Sequence, residues 1–167
     1  MAILETERLI LREMQAADAP FILELLNEPG FIANIRDSGV RDLEGARRYI
    51  EDGPRASYAA HGFGLWLAEL KATGEPVGIC GILKRDTLDH PDLGFAFLAR
   101  HHGQGFASEA GAATLAWARA RGIHRILAIT APHNTASARV LEKLGFRFER
   151  LLEPPDQRPT RLYAVDA

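Results

Sequence analysis

The segment RHHGQGFASEA, Arg100 to Ala110, constrains the fold more than any other stretch of the chain. It joins an apolar strand-like run, DLGFAFLA (Asp92–Ala99), to an alanine-rich stretch that reads as a helix from about Ala107 to Arg121. A second apolar run, RILAITA (Arg125–Ala131), follows, then a helix from Asn134 to Leu144 and the strand-like FRFERLLE. Strand, helix, strand, helix, strand predicts a mixed α/β architecture in which helices cover a sheet.

Two glycines one residue apart, Gly103 and Gly105, stand where the first helix begins. A helix N-terminus leaves N–H groups unpaired and carries the positive end of the helix dipole, so an anion is stabilised there if the backbone lets it approach. Residues without Cβ remove that barrier. The amides of Phe106, Ala107 and Ser108 would then face a phosphate, and Ser108 could add its hydroxyl. A plain tight turn uses glycine for its own reasons, so both readings stand on these residues. Two familiar phosphate motifs do not fit. Gly-Lys-Ser/Thr is absent, Ser108 replaces the last Gly or Ala of a dinucleotide fingerprint, and no acid occurs from Gly111 to Ala131.

Upstream, TERLILRE (Thr6–Glu13) alternates as a strand, and Asp18 is placed to cap a helix running through Leu26. Asp42 is placed to cap a helix over LEGARRYIED, with a short helical piece between Pro54 and His61. FGLWLAEL (Phe63–Leu70) and PVGICGIL (Pro76–Leu83) form a hairpin through Gly74. Gly145 ends the last helix in the left-handed position, and the proline-rich loop Glu153–Pro159 separates two final strands.

With 167 residues, 47% hydrophobic and 25% charged, the chain is expected to form one domain spanning 1–167. Lys plus Arg number 20 against 22 acids, so no basic excess points to nucleic acid or an anionic membrane. The lone Cys80 cannot form an internal disulfide, no Cys/His cluster has metal spacing, and Glu5, Glu7, Arg8 and Arg12 interrupt any signal-like apolar core. A cytoplasmic chain without a bound metal is expected, as a monomer or homodimer.

RHHGQGFASEA resembles the Gln/Arg-x-x-Gly-x-Gly/Ala signature of the GCN5-related N-acetyltransferase (GNAT) superfamily, with Arg100, Gly103 and Gly105 in register. ETERLILRE, GLWLAELKATGEPVGICGI, DLGFAFL and NTASARVLEKLGF resemble, in order, segments of its RimJ/RimL-like branch, so nearly the whole chain is covered. The resemblance implies a mostly antiparallel sheet with a splayed central parallel strand pair flanked by helices. It also implies acetyl transfer from acetyl-CoA to a primary amine by direct attack. The acceptor would be a protein N-terminal amine or a small molecule such as a polyamine, amino acid or aminoglycoside. A CoA-binding sensor without turnover is the alternative.

By that resemblance the pyrophosphate rests on Arg100, Gly103, Gln104, Gly105, Phe106, Ala107 and Ser108. The pantetheine arm runs along Phe97, Leu98 and Ala99, opposite Ile129 to Ala131, and Asn134 contributes a hydrogen bond. Gly94 is read as the bend or bulge that splays its strand. A backbone N–H near Leu98 polarises the thioester carbonyl. Leu141 occupies the place of the Tyr that often serves as the acid in the superfamily, so Ser137 is the candidate proton donor to the leaving thiolate, or a hydrogen-bond donor to the sulfur alone. Asp92 aligns with an acid that accepts the amine proton, and Glu69 is a weaker candidate base. Arg119, Arg121, Arg125, Arg139 and Lys143 are basic groups available to a 3′-phosphate. His101 and His102 read as exposed loop residues, and Cys80 and Trp66 as core.

Overall fold

The computed structural model describes residues 2–155 and 157–166; Met1, Ala167 and Asp156 of the proline-rich loop lie outside the described residues. An N-terminal hairpin of β1 (Ala2–Glu5) and β2 (Leu9–Arg12) replaces the single strand expected over Thr6–Glu13. The alternation was read correctly where it is strongest, with Leu9 and Leu11 fully buried. The Pro76–Leu83 hairpin forms as expected: β3 (Leu65–Leu70) returns as β4 (Pro76–Leu83). Then come β5 (Asp92–Phe97), β6 (Arg125–Thr130), β7 (Arg147–Leu152) and β8 (Thr160–Asp166).

The described residues build one sheet in the order β1-β2-β3-β4-β5-β6-β8-β7, antiparallel throughout except for β5 and β6. Four helices lie between β2 and β3: α1 (Ala19–Leu26), α2 (Pro29–Asn34), α3 (Leu43–Ile50) and α4 (Ala56–His61). Helix α5 (Phe106–Ala120) joins β5 to β6, and α6 (Thr135–Lys143) joins β6 to β7. Alternate strand residues serve opposite faces. Trp66, Cys80 and Ile82 pack with Phe106, Ala110, Leu115 and Leu141 of α5 and α6, whereas Leu67 and Ile79 pack with Ile22, Leu25 and Ile50 of α1 and α3. Coverage on both faces explains why PVGICGIL is a continuous apolar run.

Two of the local expectations change and one holds. Asp18 does not cap α1 with its side chain; its carboxylate turns back to the Gln15 N–H (2.8 Å) and to both terminal nitrogens of Arg12 (2.8 and 2.9 Å), a partner stronger than an uncharged helix amide. Asp42 does cap α3, accepting from Gly45 N–H at 2.7 Å. Gly94 marks no bulge, because the β4–β5 ladder runs unbroken through its pairing with Gly81. Its missing side chain makes room instead for Leu83 and Leu65, which approach within 3.1 and 3.3 Å of where a Cβ would stand. α2 was not expected at all, and α3 continues into α4 through a π-helical turn, Glu51–Arg55, that carries Pro54.

Candidate active site

The parallel pair β5–β6 parts almost as soon as it forms. A single residue pair, Asp92 with Leu127, links the two strands, and Leu127 N–H donates to Pro91 C=O at 2.9 Å. Beyond it β5 stays with β4 and β6 with β8. Leu98 N–H donates to Val77 C=O at 3.0 Å. In an antiparallel ladder only alternate pairs exchange such bonds, so Ala96 and Gly94 also face β4, while Phe95 and Phe97 turn their peptide groups toward β6. The same alternation turns Ile129 toward β5. Peptide edges of Phe95, Phe97 and Ile129 therefore border a gap with no opposing strand to pair with.

The gap opens on two joined cavities. The first, about 420 Å³, runs past Phe97 and Ala99 to Gly103, Gly105 and the first turn of α5. Both glycines adopt the left-handed conformation (φ +76° and +83°), which side-chain-bearing residues rarely take. Among the described residues, no atom beyond its two chain neighbours lies within 4 Å of where a Gly103 Cβ would be, so the turn leaves open space beside it. Gly105 is the N-cap of α5 and supplies no capping side chain, so the first-turn amides of Phe106, Ala107 and Ser108 keep free donors along this wall. The second cavity, about 380 Å³, contains Asp92 and Tyr49, and the two share Phe95, Ala96, Asn134 and Ser137.

Asn134 caps α6 through its Oδ1, which accepts from Ser137 N–H at 3.2 Å. Its amide nitrogen and the Ser137 hydroxyl have no hydrogen-bond partner among the described residues, and both residues line both cavities. Asp92 is 1% exposed and receives the Arg85 Nε on both oxygens at 3.2 Å. Burial pushes its carboxyl up, and the Arg85 charge acts against that shift.

Leu98, Arg100 and Gln104 do not join this arrangement. The Leu98 side chain is fully buried against α1 and α3, and its N–H is already bonded to Val77. Arg100 turns to Glu24 (2.6 Å), away from the glycine turn, and Gln104 lines neither cavity. Ala99 borders the first cavity, but its N–H donates to Glu28 at 2.9 Å. Glu69 is bound to Arg12 at 3.1 Å and lies outside both cavities. None of Arg119, Arg121, Arg125, Arg139 or Lys143 lines either one. The His101 side chain is only 13% exposed, unlike the exposed loop residue expected, whereas His102 is exposed as expected, with its ring nitrogen 2.7 Å from Phe97 C=O. Cys80 is buried beside Thr114, and burial pushes its thiol up to about 12, leaving it inert.

A family model described as an acetyltransferase (GNAT) domain matches residues 8–147. The chain belongs to the GNAT acetyltransferase family. Protein YkkB of Bacillus subtilis (strain 168) is 33% identical over 153 residues, covering 89% of this chain and 87% of that one. The N-acetyltransferase p20 of Bacillus licheniformis is 30% identical over 169 residues, covering 99% and 93%. Mycobacterium smegmatis RimJ, solved in complex with CoA-disulfide, superposes with a TM-score of 0.80 at 27% identity, over 95% of this chain and 82% of that one. The GNAT assignment and its RimJ/RimL-like character stand, and the chain is an acyl-CoA-dependent N-acetyltransferase.

Within this GNAT frame, sequence reasoning missed several residues. Phe95 was passed over because the direction of a peptide group depends on ladder register. Arg85 could have been found, since the β4–β5 hairpin brings it back beside Asp92. Arg8 reaches the glycine turn, its guanidinium over the Phe106 ring at 4.3 Å and its Nε on Glu109 at 2.7 Å. Tyr49 lies on the expected helix α3 and Arg36 in the loop that follows the unexpected α2, and neither position carries a local signal that it faces the second cavity.

Proposed function

We propose that this acetyltransferase moves the acetyl group of acetyl-CoA to a primary amine by direct attack within the β5–β6 gap. The observation that carries the reading is the conjunction of unpaired strand edges with free helix-start amides along one cavity. Amides of Phe106, Ala107 and Ser108, with the backbone at Gly103 and Gly105, suit a pyrophosphate. The peptide edges of Phe95 and Ile129 and the N–H of Phe97, whose C=O is already met by His102, suit the amide groups of a pantetheine arm, which would otherwise leave buried polar groups unmatched. Acetyl-CoA supplies an acyl group on a good leaving sulfur.

The residues of this chain supply position and polarisation. Phe95 N–H replaces Leu98 as the donor to the carbonyl oxygen where negative charge develops. Asp92 accepts the amine proton, directly or through water; a carboxyl raised by burial is better suited to that task than an ordinary one. Ser137 donates a hydrogen bond to the departing sulfur, and Asn134 holds the ligand with the amide nitrogen its cap leaves free.

Thermal unfolding with acetyl-CoA, CoA, ATP and NAD in parallel tests the reading. A ligand at 100 times its Kd adds about 2.7 kcal/mol, and each kcal/mol moves the midpoint by roughly 2–4 °C at this chain length. Acetyl-CoA and CoA should both raise the midpoint while ATP and NAD leave it in place, and amine addition should release free thiol. Equal shifts with ATP would make the site a general nucleotide cradle; shifts without thiol release would make the protein a CoA sensor.

A further inference from the structure

The second cavity has a charge pattern that selects its occupant. Its charged lining among the described residues is Arg36, Arg85 and Asp92, two cations against one anion. Asp92 engages only the Nε of Arg85, which leaves the terminal amino groups of that guanidinium uncommitted. Arg36 is exposed and forms no salt bridge or side-chain hydrogen bond among the described residues. On the same cavity wall, the Tyr49 hydroxyl is also without a partner among the described residues; burial pushes its phenol up, and the charges of Arg36 and Arg85 pull it down. The rest of the wall is largely apolar, including Leu26, Leu65, Ile79 and Leu83.

On the acetyl-transfer reading above, we infer that this cavity takes an acceptor amine that also carries a carboxylate, and that it turns away polyamines. Two guanidinium forks and a phenol O–H lining one cavity, with both cationic charges felt at the phenol, match a carboxylate, whose oxygens accept paired N–H bonds. A second ammonium would meet like charge in partly apolar surroundings, with its one nearby carboxylate already bound to Arg85. The same positive field favours the neutral amine over its ammonium, and only the neutral form has the lone pair that attacks. The volume of about 380 Å³ suits a small molecule or the first residues of a peptide. The cavity meets the first one at Phe95 and Ser137, so an acceptor lodged in it has a path to the proposed thioester position.

The test compares pairs of acceptors that differ in the carboxylate, free amino acids against their amides and peptides with acidic against neutral second residues, with spermidine as the polyamine. Thiol release is measured for the wild type, Arg36→Gln, and Arg47→Gln, which removes an exposed charge outside the cavity. The carboxylate-bearing member of each pair should have a kcat/KM at least about tenfold higher, with the difference in KM. Arg36→Gln should shrink that ratio to less than about threefold, and Arg47→Gln should preserve it. Free amino acids leading the panel would make the acceptor a metabolite, and acidic peptides leading it would make it a protein N-terminus. Spermidine or the amides matching the carboxylates would overturn the inference. Calorimetric titration of the CoA-saturated protein with the same compounds separates it from the parent reading. Carboxylate-dependent binding lost in Arg36→Gln upholds the site even if no thiol is released, and binding indifferent to the carboxylate overturns it.

Discussion

Asp92 and Asn134 each do a structural task and carry a free capability, and each can be tested by a substitution that removes one alone. The Asp92 carboxyl is raised in the folded protein because burial outweighs the Arg85 charge. A raised folded value means that its stabilising contribution is fully present below the ordinary 3.8 and is lost as pH climbs through the folded value. Asp92→Asn removes that decline, so the variant should gain on the wild type in urea unfolding as pH rises above the ordinary 3.8. If Asp92 is the base, the acidic limb of the wild-type rate profile should vanish in the same variant. An unchanged limb would give the proton to water. Asn134→Asp keeps an oxygen that caps α6 and discards the amide donor. Stability should stay within about 0.5 kcal/mol, since Asp and Asn cap about equally well, while acetyl-CoA affinity falls at least tenfold. Equal losses in both would mean that the cap is the side chain's entire role.

The glycine turn was legible at the level of elements because strand, left-handed glycines and helix start are all local matters, and Gly145 was placed correctly for the same reason (φ +97°). What failed were features decided by contacts between distant segments. α2 begins Pro29-Gly30, which gives no apolar period and a poor helix former in the first turn, so only its docking beside α1 defines it. Pro54 reads as a helix break, yet the chain widens there into a π-helical turn and continues into α4. The direction of Leu98 N–H followed from strand pairing, which one sequence does not display. Another such contact is Glu109, in the first turn of α5, which accepts from Thr6 Oγ1, Arg8 N–H (2.9 Å) and Arg8 Nε (2.7 Å) and so ties the N-terminal hairpin to the phosphate turn. Burial pushes its carboxyl up, but these hydrogen bonds together outweigh it and hold it below the ordinary range. Its stabilisation is therefore present above the ordinary 4.5 and fades as pH falls through the folded value. Glu109→Gln should cost about 1–3 kcal/mol at pH 7 in urea unfolding, and less at pH 4. A loss that does not shrink in acid would assign the effect to packing.

At the scale of the whole molecule, the order of elements was enough to specify the mixed α/β class, and the mostly antiparallel sheet with its splayed parallel pair came from the resemblance to the GNAT superfamily. The acceptor chemistry was not, because Arg36, Tyr49 and Arg85 come together only when α2, α3 and the β4–β5 hairpin close over the same cavity. The junction of β5 and β6 has a consequence for the molecule as a whole. Five strands on one side and three on the other meet at a single rung, Asp92 with Leu127, so the sheet is a book whose two leaves touch only near the spine. On the proposed reading, the substrate lies between the pages and its amides stand in for missing rungs. The molecule that brings the acetyl group would then also bind the leaves together, and each departure of CoA would loosen the protein along the line where the next one enters.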